Sequence, residues 1–267
     1  MSVRLGIIGT GNMGGAMVQG LAHRQDLELH GYDPDKSCLE RLGRECGLKQ
    51  HPGPADLARD CDYIVLAVKP GLVPAAAAEI APGLDQSKCL ISVAAGVRTR
   101  DLAFWSNQAC PVVRVMPNTP ALVGRGVFAL CLEDEKLSQE QTGFIQGVFQ
   151  DLGQVHVLPE QSFDAFTALI GSGPAYVYYF MESMVDAGVY MGLGRTQATE
   201  MVLELFAGSA HMAQKENCHI TQLKEMVTSP GGTTIAGLGA LEKRAVKAAV
   251  LEAVQEAARR SRELGGK

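Results

Sequence analysis

The chain lacks any C-x-x-C pair: its seven cysteines (Cys38, Cys46, Cys61, Cys89, Cys110, Cys131 and Cys218) are scattered and odd in number. That argues against a disulfide framework and reads as reduced thiols, mostly core fillers, in a cytoplasmic protein. The six histidines fall in no H-E-x-x-H or paired spacing, so no metal site is expected. No apolar run is long enough to span a bilayer, because Ala, Gly and Pro interrupt every candidate. "MSVRLGIIGTG" leads straight into a strand pattern, without the cleavage signature of a secretory leader. A basic excess is missing as well; the net charge of -5 leaves no footprint for nucleic acid. What remains is an ordinary soluble composition, 46% hydrophobic and 20% charged. The 267 residues suffice for one large domain or two modest ones.

The first two thirds alternate short β-branched runs with helical stretches, which argues a doubly wound sheet. Strand candidates are residues 3–9, 27–33, 62–68, 89–95, 112–117, 127–132 and 154–159. Several are nearly all apolar, as in a sheet covered on both faces. "GIIGTGNMGGAM" follows the first of them and carries G-x-G-x-x-G at Gly9, Gly11 and Gly14. In this position Gly9 makes the tight turn, Gly11 lets a pyrophosphate approach the backbone, and Gly14 allows close helix–strand packing. Gly9, Thr10, Gly11, Asn12, Met13 and Gly14 are therefore the expected dinucleotide phosphate cradle, at a helix N-terminus that favours anions. Asp33, ending the second strand candidate, is placed to meet the adenosine ribose. A carboxylate there accepts from a free 2′-hydroxyl and repels a 2′-phosphate, which leans toward NADH; Lys36 offers a cation to NADPH. Three further loops follow strand candidates, where ligands collect in an open parallel sheet. They contribute Val68, Lys69 and Pro70; Ala94, Ala95 and Gly96; and Asn118 in "MPNTPA".

From about Ser162 the strand signals stop, dividing the chain into a nucleotide-binding domain over residues 1–161 and a helical domain over 162–267. "GSGPAYVYYFMESMV" places Pro174 in a first helical turn. The helix that follows is apolar on nearly every face, so it belongs in a core or against another chain; a subunit interface is the better fit, because the helical half is short for burying it alone. A second helix covers residues 193–215 with Thr196 as a possible N-cap, and a third covers 240–264. Between them, "TSPGGTT" stops a helix at Pro230 and offers Thr233 or Thr234 as the next cap. Its two glycines bare successive amides, a receptor for a carboxylate or a phosphate.

These stretches together resemble pyrroline-5-carboxylate reductase. The resemblance runs nearly end to end, through "GIIGTGNMG", "AVKP", "AAGV", "MPNTPA", "GSGPAYVYYFMESMVDAG" and above all "MVTSPGGTTIAGLGALE". It implies an N-terminal Rossmann domain, NADH or NADPH as cofactor, and an all-helical domain that builds a homodimer. In some members the dimers assemble further into rings. It also implies that the backbone of the loop carrying Ser229, Gly231, Gly232, Thr233 and Thr234 holds the substrate carboxylate, with the Thr234 hydroxyl near the ring nitrogen. The expected reaction is hydride transfer to the cyclic imine of 1-pyrroline-5-carboxylate, giving L-proline. A 3-hydroxyacid dehydrogenase has the same domain order but carries a catalytic lysine on the interdomain helix; this chain has no lysine between Lys136 and Lys215. A dinucleotide sensor without turnover would not need the small-acid receptor of the SPGGTT loop.

Overall fold

The computed structural model describes residues 2–216 and 218–266. They form two compact units. The first runs to Ser172 and takes in Ala257 onward; the second covers Gly173–Glu256.

The first unit is a doubly wound α/β domain. Its elements are β1 (Val3–Ile8), α1 (Asn12–Leu21), β2 (Leu27–Tyr32), α2 (Lys36–Cys46), β3 (Lys49–Gln50), α3 (Pro54–Asp60), β4 (Tyr63–Leu66), α4 (Val73–Ile80), β5 (Cys89–Ser92), α5 (Thr99–Trp105), β6 (Val112–Met116), β7 (Gly126–Cys131), α6 (Gln139–Gln150), β8 (Gly153–Val157) and α7 (Phe163–Phe166). The eight strands lie in the order β3-β2-β1-β4-β5-β6-β7-β8. The order reverses between β1 and β4, and the crevice outside their carboxyl ends is where such sheets bind ligands. All neighbours pair in parallel except β6 and β7. Residues 117–125 between those two are too few for a parallel crossover, so the chain turns back antiparallel.

The all-apolar strands are buried on both faces. Leu5, Ile7, Val65, Ile91 and Val113 pack with Met17, Leu21 and Phe149 on one face, while Ile8, Ile64, Leu66 and Leu90 pack with Leu57, Ile80 and Leu102 on the other. Cys61, Cys89, Cys110 and Cys131 are buried here as free thiols. Burial pushes the thiols of Cys61 and Cys110 up to about 12 and that of Cys131 up to about 11, which makes them inert.

The second unit is helical: α8 (Gly173–Tyr190), α9 (Arg195–Lys215), α10 (Ile220–Met226), α11 (Thr233–Lys243) and α12 (Val246–Gly265), whose last turns belong to the first unit. Three local expectations are corrected here. The N-cap of α9 is Gly194, which leaves Thr196 inside the first turn. The N-cap of α11 is Gly232, so Thr233 and Thr234 are its first two residues and neither caps it. The stretch 240–264 is two helices, broken where Ala245 adopts a left-handed φ of 53°.

Candidate active site

The glycine loop follows β1 as the motif predicts. Gly9 has φ +93°, and its amide donates to Tyr32 O at the end of β2. Gly14 lies against the turn so closely that a Cβ there would sit 1.9 Å from Gly9 O. Gly11, by contrast, is exposed, and a Cβ there would meet nothing within 4 Å. The loop thus closes on itself at Gly14 and stays open at Gly11, which fits a cradle for phosphate groups at the N-terminus of α1. Asn12 is exposed and Met13 half-buried beside it. Asp33 is tied into the same turn. Its carboxylate accepts from Thr10 N at 2.6 Å, from Thr10 Oγ1 at 3.3 Å and from Asp35 N at 2.9 Å. Lys36 opens α2 and is exposed.

The loop after β4 begins where Ala67 N donates to Ile8 O; Val68 is half-buried, and Lys69 and Pro70 are exposed. After β5 the chain runs through buried Ala94 to exposed Ala95 and half-buried Gly96, whose φ is +76°. Two cavities flank this second loop. One, of about 380 Å³, reaches from Ala95 and Gly96 to Pro70, Asp101 and Trp105. The other, of about 230 Å³, is lined by Ala95, Gly96, Thr167, Ser172, Arg260 and Ser261. The Gly-rich loop, residues 68–70 and residues 94–96 all belong to the first unit. Asn118 lies deeper: it is 8% exposed, accepts from Val127 N at 2.9 Å and donates to Ile170 O at 3.4 Å. Its side chain thereby braces β7 against the segment leading to α8.

Thr167 was not anticipated from sequence. It starts a π-helical turn, residues 167–171, closed by a Ser172 N to Thr167 O bond of 2.9 Å. Its Oγ1 is buried without a hydrogen-bond partner, and the residue is part of the lining of the smaller cavity. A buried hydroxyl in that state costs about 1–3 kcal/mol, and π turns cluster at functional sites. In the sequence it is one threonine in an apolar "FTALI" run, with no pattern to mark it.

Residues 229–234 lie in the second unit, between α10 and α11. Gly231 has φ +68°, and Gly232 N donates to Ser229 O at 3.2 Å, closing a tight turn. Ser229, Gly231 and Thr233 are exposed, and Gly232 and Thr234 half-buried. The first amides of α11 therefore open on a turn with no side-chain cap, an arrangement suited to an anion. Among the described residues, no group of three or more His, Cys, Asp or Glu side chains could hold a metal ion, and no helix is long and apolar enough to cross a membrane.

Comparison with known proteins adds the following. Residues 160–264 match the family described as pyrroline-5-carboxylate reductase dimerisation, and residues 4–96 the family described as NADP oxidoreductase, coenzyme F420-dependent. The pyrroline-5-carboxylate reductase of Pisum sativum is 36% identical, with 98% of this chain and 96% of that one covered. That of Escherichia coli is 35% identical, with 99% of each covered. Among solved structures, pyrroline carboxylate reductase from Plasmodium falciparum, with NADP bound, superposes with a TM-score of 0.88 at 37% identity, covering 98% of each chain. The pyrroline-5-carboxylate reductase of Coxiella burnetii gives 0.91 at 30% identity, covering 99% of each.

Proposed function

The chain belongs to the pyrroline-5-carboxylate reductase family, and from that premise we infer that it reduces the cyclic imine of 1-pyrroline-5-carboxylate to L-proline, the last step of proline biosynthesis. NADH or NADPH supplies the hydride. The observation that carries this reading is the presence in one chain of an open glycine cradle at the end of β1 and an uncapped, glycine-bared turn at the start of α11. The first suits the phosphates of a dinucleotide; the second suits a small carboxylate.

In this reading Gly9, Thr10, Gly11, Asn12, Met13 and Gly14 hold the pyrophosphate, and Asp33 the adenosine ribose. Val68, Lys69, Pro70, Ala94, Ala95, Gly96 and Asn118 line or brace the rest of the cofactor site. Ser229, Gly231, Gly232 and Thr233 receive the substrate carboxylate. The Thr234 hydroxyl orients the ring nitrogen, donating to it or accepting from it according to its protonation state. A protonated imine is already electrophilic, so these residues act by positioning rather than by strong acid catalysis.

The functional boundary lies near residue 161, and the helical half assembles as a homodimer, with rings of dimers as a further level. Among the described residues, the buried hydrophobic side chains of the unit Gly173–Glu256 are Val185, Ala198 and Val202, with Met181 and Phe206 packed against them. A cytoplasmic location accords with seven free thiols.

The test is oxidation of NADH and, separately, NADPH by the purified protein with 1-pyrroline-5-carboxylate, followed by absorbance. Turnover yielding proline is expected. Binding of both cofactors without oxidation of either would overturn the reading.

A further inference from the structure

We propose that Glu160 is a positioning residue for hydride transfer, a pin that ties together two segments lining the smaller cavity; the inference rests on the function proposed above. Both carboxylate oxygens are committed to the residue that closes the loop after β5: Oε1 accepts from Thr99 N at 2.8 Å and Oε2 from Thr99 Oγ1 at 2.9 Å. Residues 94–98 are thus tethered at one end by Val93 N on Leu66 O, and at the other by Glu160.

The pin is itself held by two further partners, Arg114 and Glu133. Arg114, projecting from β6 and only 5% exposed, donates from Nη1 to Glu160 Oε1 at 3.1 Å. The guanidinium lies 4.6 Å from the centroid of the fully buried Phe163 ring, which fixes its plane. The Glu160 amide donates to Glu133 Oε2 at 3.0 Å. A buried arginine with one carboxylate to answer it leaves that carboxylate little freedom.

Glu160 also stands just before α7 and the π turn, which lead to Thr167 and Ser172 in the lining of the same cavity. One side chain therefore refers the segment carrying Ala95 and Gly96 and the segment carrying Thr167 and Ser172 to a common anchor. Reacting groups must be held to a fraction of an ångström, and a displacement of about 1 Å can cost about 100-fold in rate. The network meets the proposed cofactor site only at the loop of residues 94–98 and makes no hydrogen bond to the glycine cradle proposed to hold the phosphates, so its loss should disturb the reaction geometry more than dinucleotide affinity.

The experiment compares Thr99→Val, Thr99→Ser and Glu160→Gln with the unaltered protein. Thr99→Val removes one hydrogen bond and leaves the Arg114 pair intact, so it stays informative if Glu160→Gln fails to fold. Expected for Thr99→Val and Glu160→Gln are a fall in kcat of about 10-fold or more, cofactor Kd by fluorescence within about twofold of the starting value, and a larger primary isotope effect with 4-deuterated dihydronicotinamide cofactor. In the cofactor-free protein, backbone amides of residues 95–99 should exchange with deuterium faster. Thr99→Ser, which keeps the hydroxyl, should restore rate and isotope effect toward the starting values. Thr99→Val with unchanged kcat and isotope effect overturns the inference, as does a loss that appears wholly in cofactor Kd. Absence of turnover in the unaltered protein overturns the functional reading and this inference with it; turnover with unchanged variants overturns this inference alone.

Discussion

Two side chains decide most of the proposed chemistry. Thr234, second residue of α11, is half-buried, so its hydroxyl can meet a substrate without being spent as a cap. Thr234→Val keeps the shape and removes the hydrogen bond. A lost bond to a reacting nitrogen should lower kcat/KM about 10- to 100-fold while leaving cofactor Kd unchanged; steady-state kinetics beside a fluorescence titration checks both. In the proposed site Asp33 is the residue that discriminates between dinucleotides. Its carboxylate already accepts from Thr10 N and Asp35 N, which pins it at the turn proposed to receive the ribose. Asp33→Asn keeps an acceptor and removes the charge. The NADPH-to-NADH efficiency ratio should rise by about 10-fold, roughly 1.4 kcal/mol of relieved repulsion. An unmoved ratio would mean that this carboxylate does not choose the cofactor.

At the scale of elements, the β2–β3 edge carries a pH-sensitive histidine, His30. His30 Nδ1 meets His51 Nε2 at 2.7 Å, and His30 is buried. Burial lowers the His30 pKa first, then the charges of His51 and Lys49, with Glu28 opposing. The folded chain therefore holds His30 neutral in a pH range where the unfolded chain protonates it. Stability is complete above the ordinary value near 6.5 and falls as the pH drops from there through the lowered folded value, by at most about 1.4 kcal/mol per pH unit for this group. Urea unfolding at pH 7.5 and pH 5.5 should show the loss, and His30→Gln should shrink it. None of this was visible in the sequence, where two histidines 21 residues apart look unrelated. The same holds for β3, two exposed residues recognisable as a strand only by pairing with β2. The break between α11 and α12 is equally silent, since Ala245 carries no turn chemistry and the apolar spacing runs on across it. The β1–glycine loop–α1 unit was legible because its constraints are local: only glycine fits 1.9 Å from Gly9 O. Glu160 and Thr167 were not, because their meaning lies in residues 61 positions away for one and in a missing partner for the other.

At the scale of the whole molecule, the helical unit is the part whose stability the single chain does not explain. Helix α8 buries one residue, Val185, while Val177, Tyr178, Tyr179 and Met184 are exposed. Helices α9, α11 and α12 leave Met201, Leu203, Leu205, Ile235, Leu241 and Leu251 exposed as well. So many large apolar side chains left exposed on one helical unit point to an interface, and the apolar pattern of α8 is what a buried helix requires. The match of residues 160–264 to a dimerisation family gives the surface its partner class, a second copy of the chain. Tyr179, 68% exposed in the single chain, is therefore a test of assembly. Tyr179→Asp would bury a carboxylate in that interface, at several kcal/mol if it is left unpaired. Sedimentation velocity should find the unaltered protein as a dimer or larger, and the variant shifted toward monomer with a lowered Tm. If turnover depends on the assembled state, activity should recover at high protein concentration, since mass action links folding of the helical unit to association. A variant that sediments and melts like the unaltered protein would place Tyr179 outside the interface. That result would leave the exposed face of α8 without the partner its composition requires.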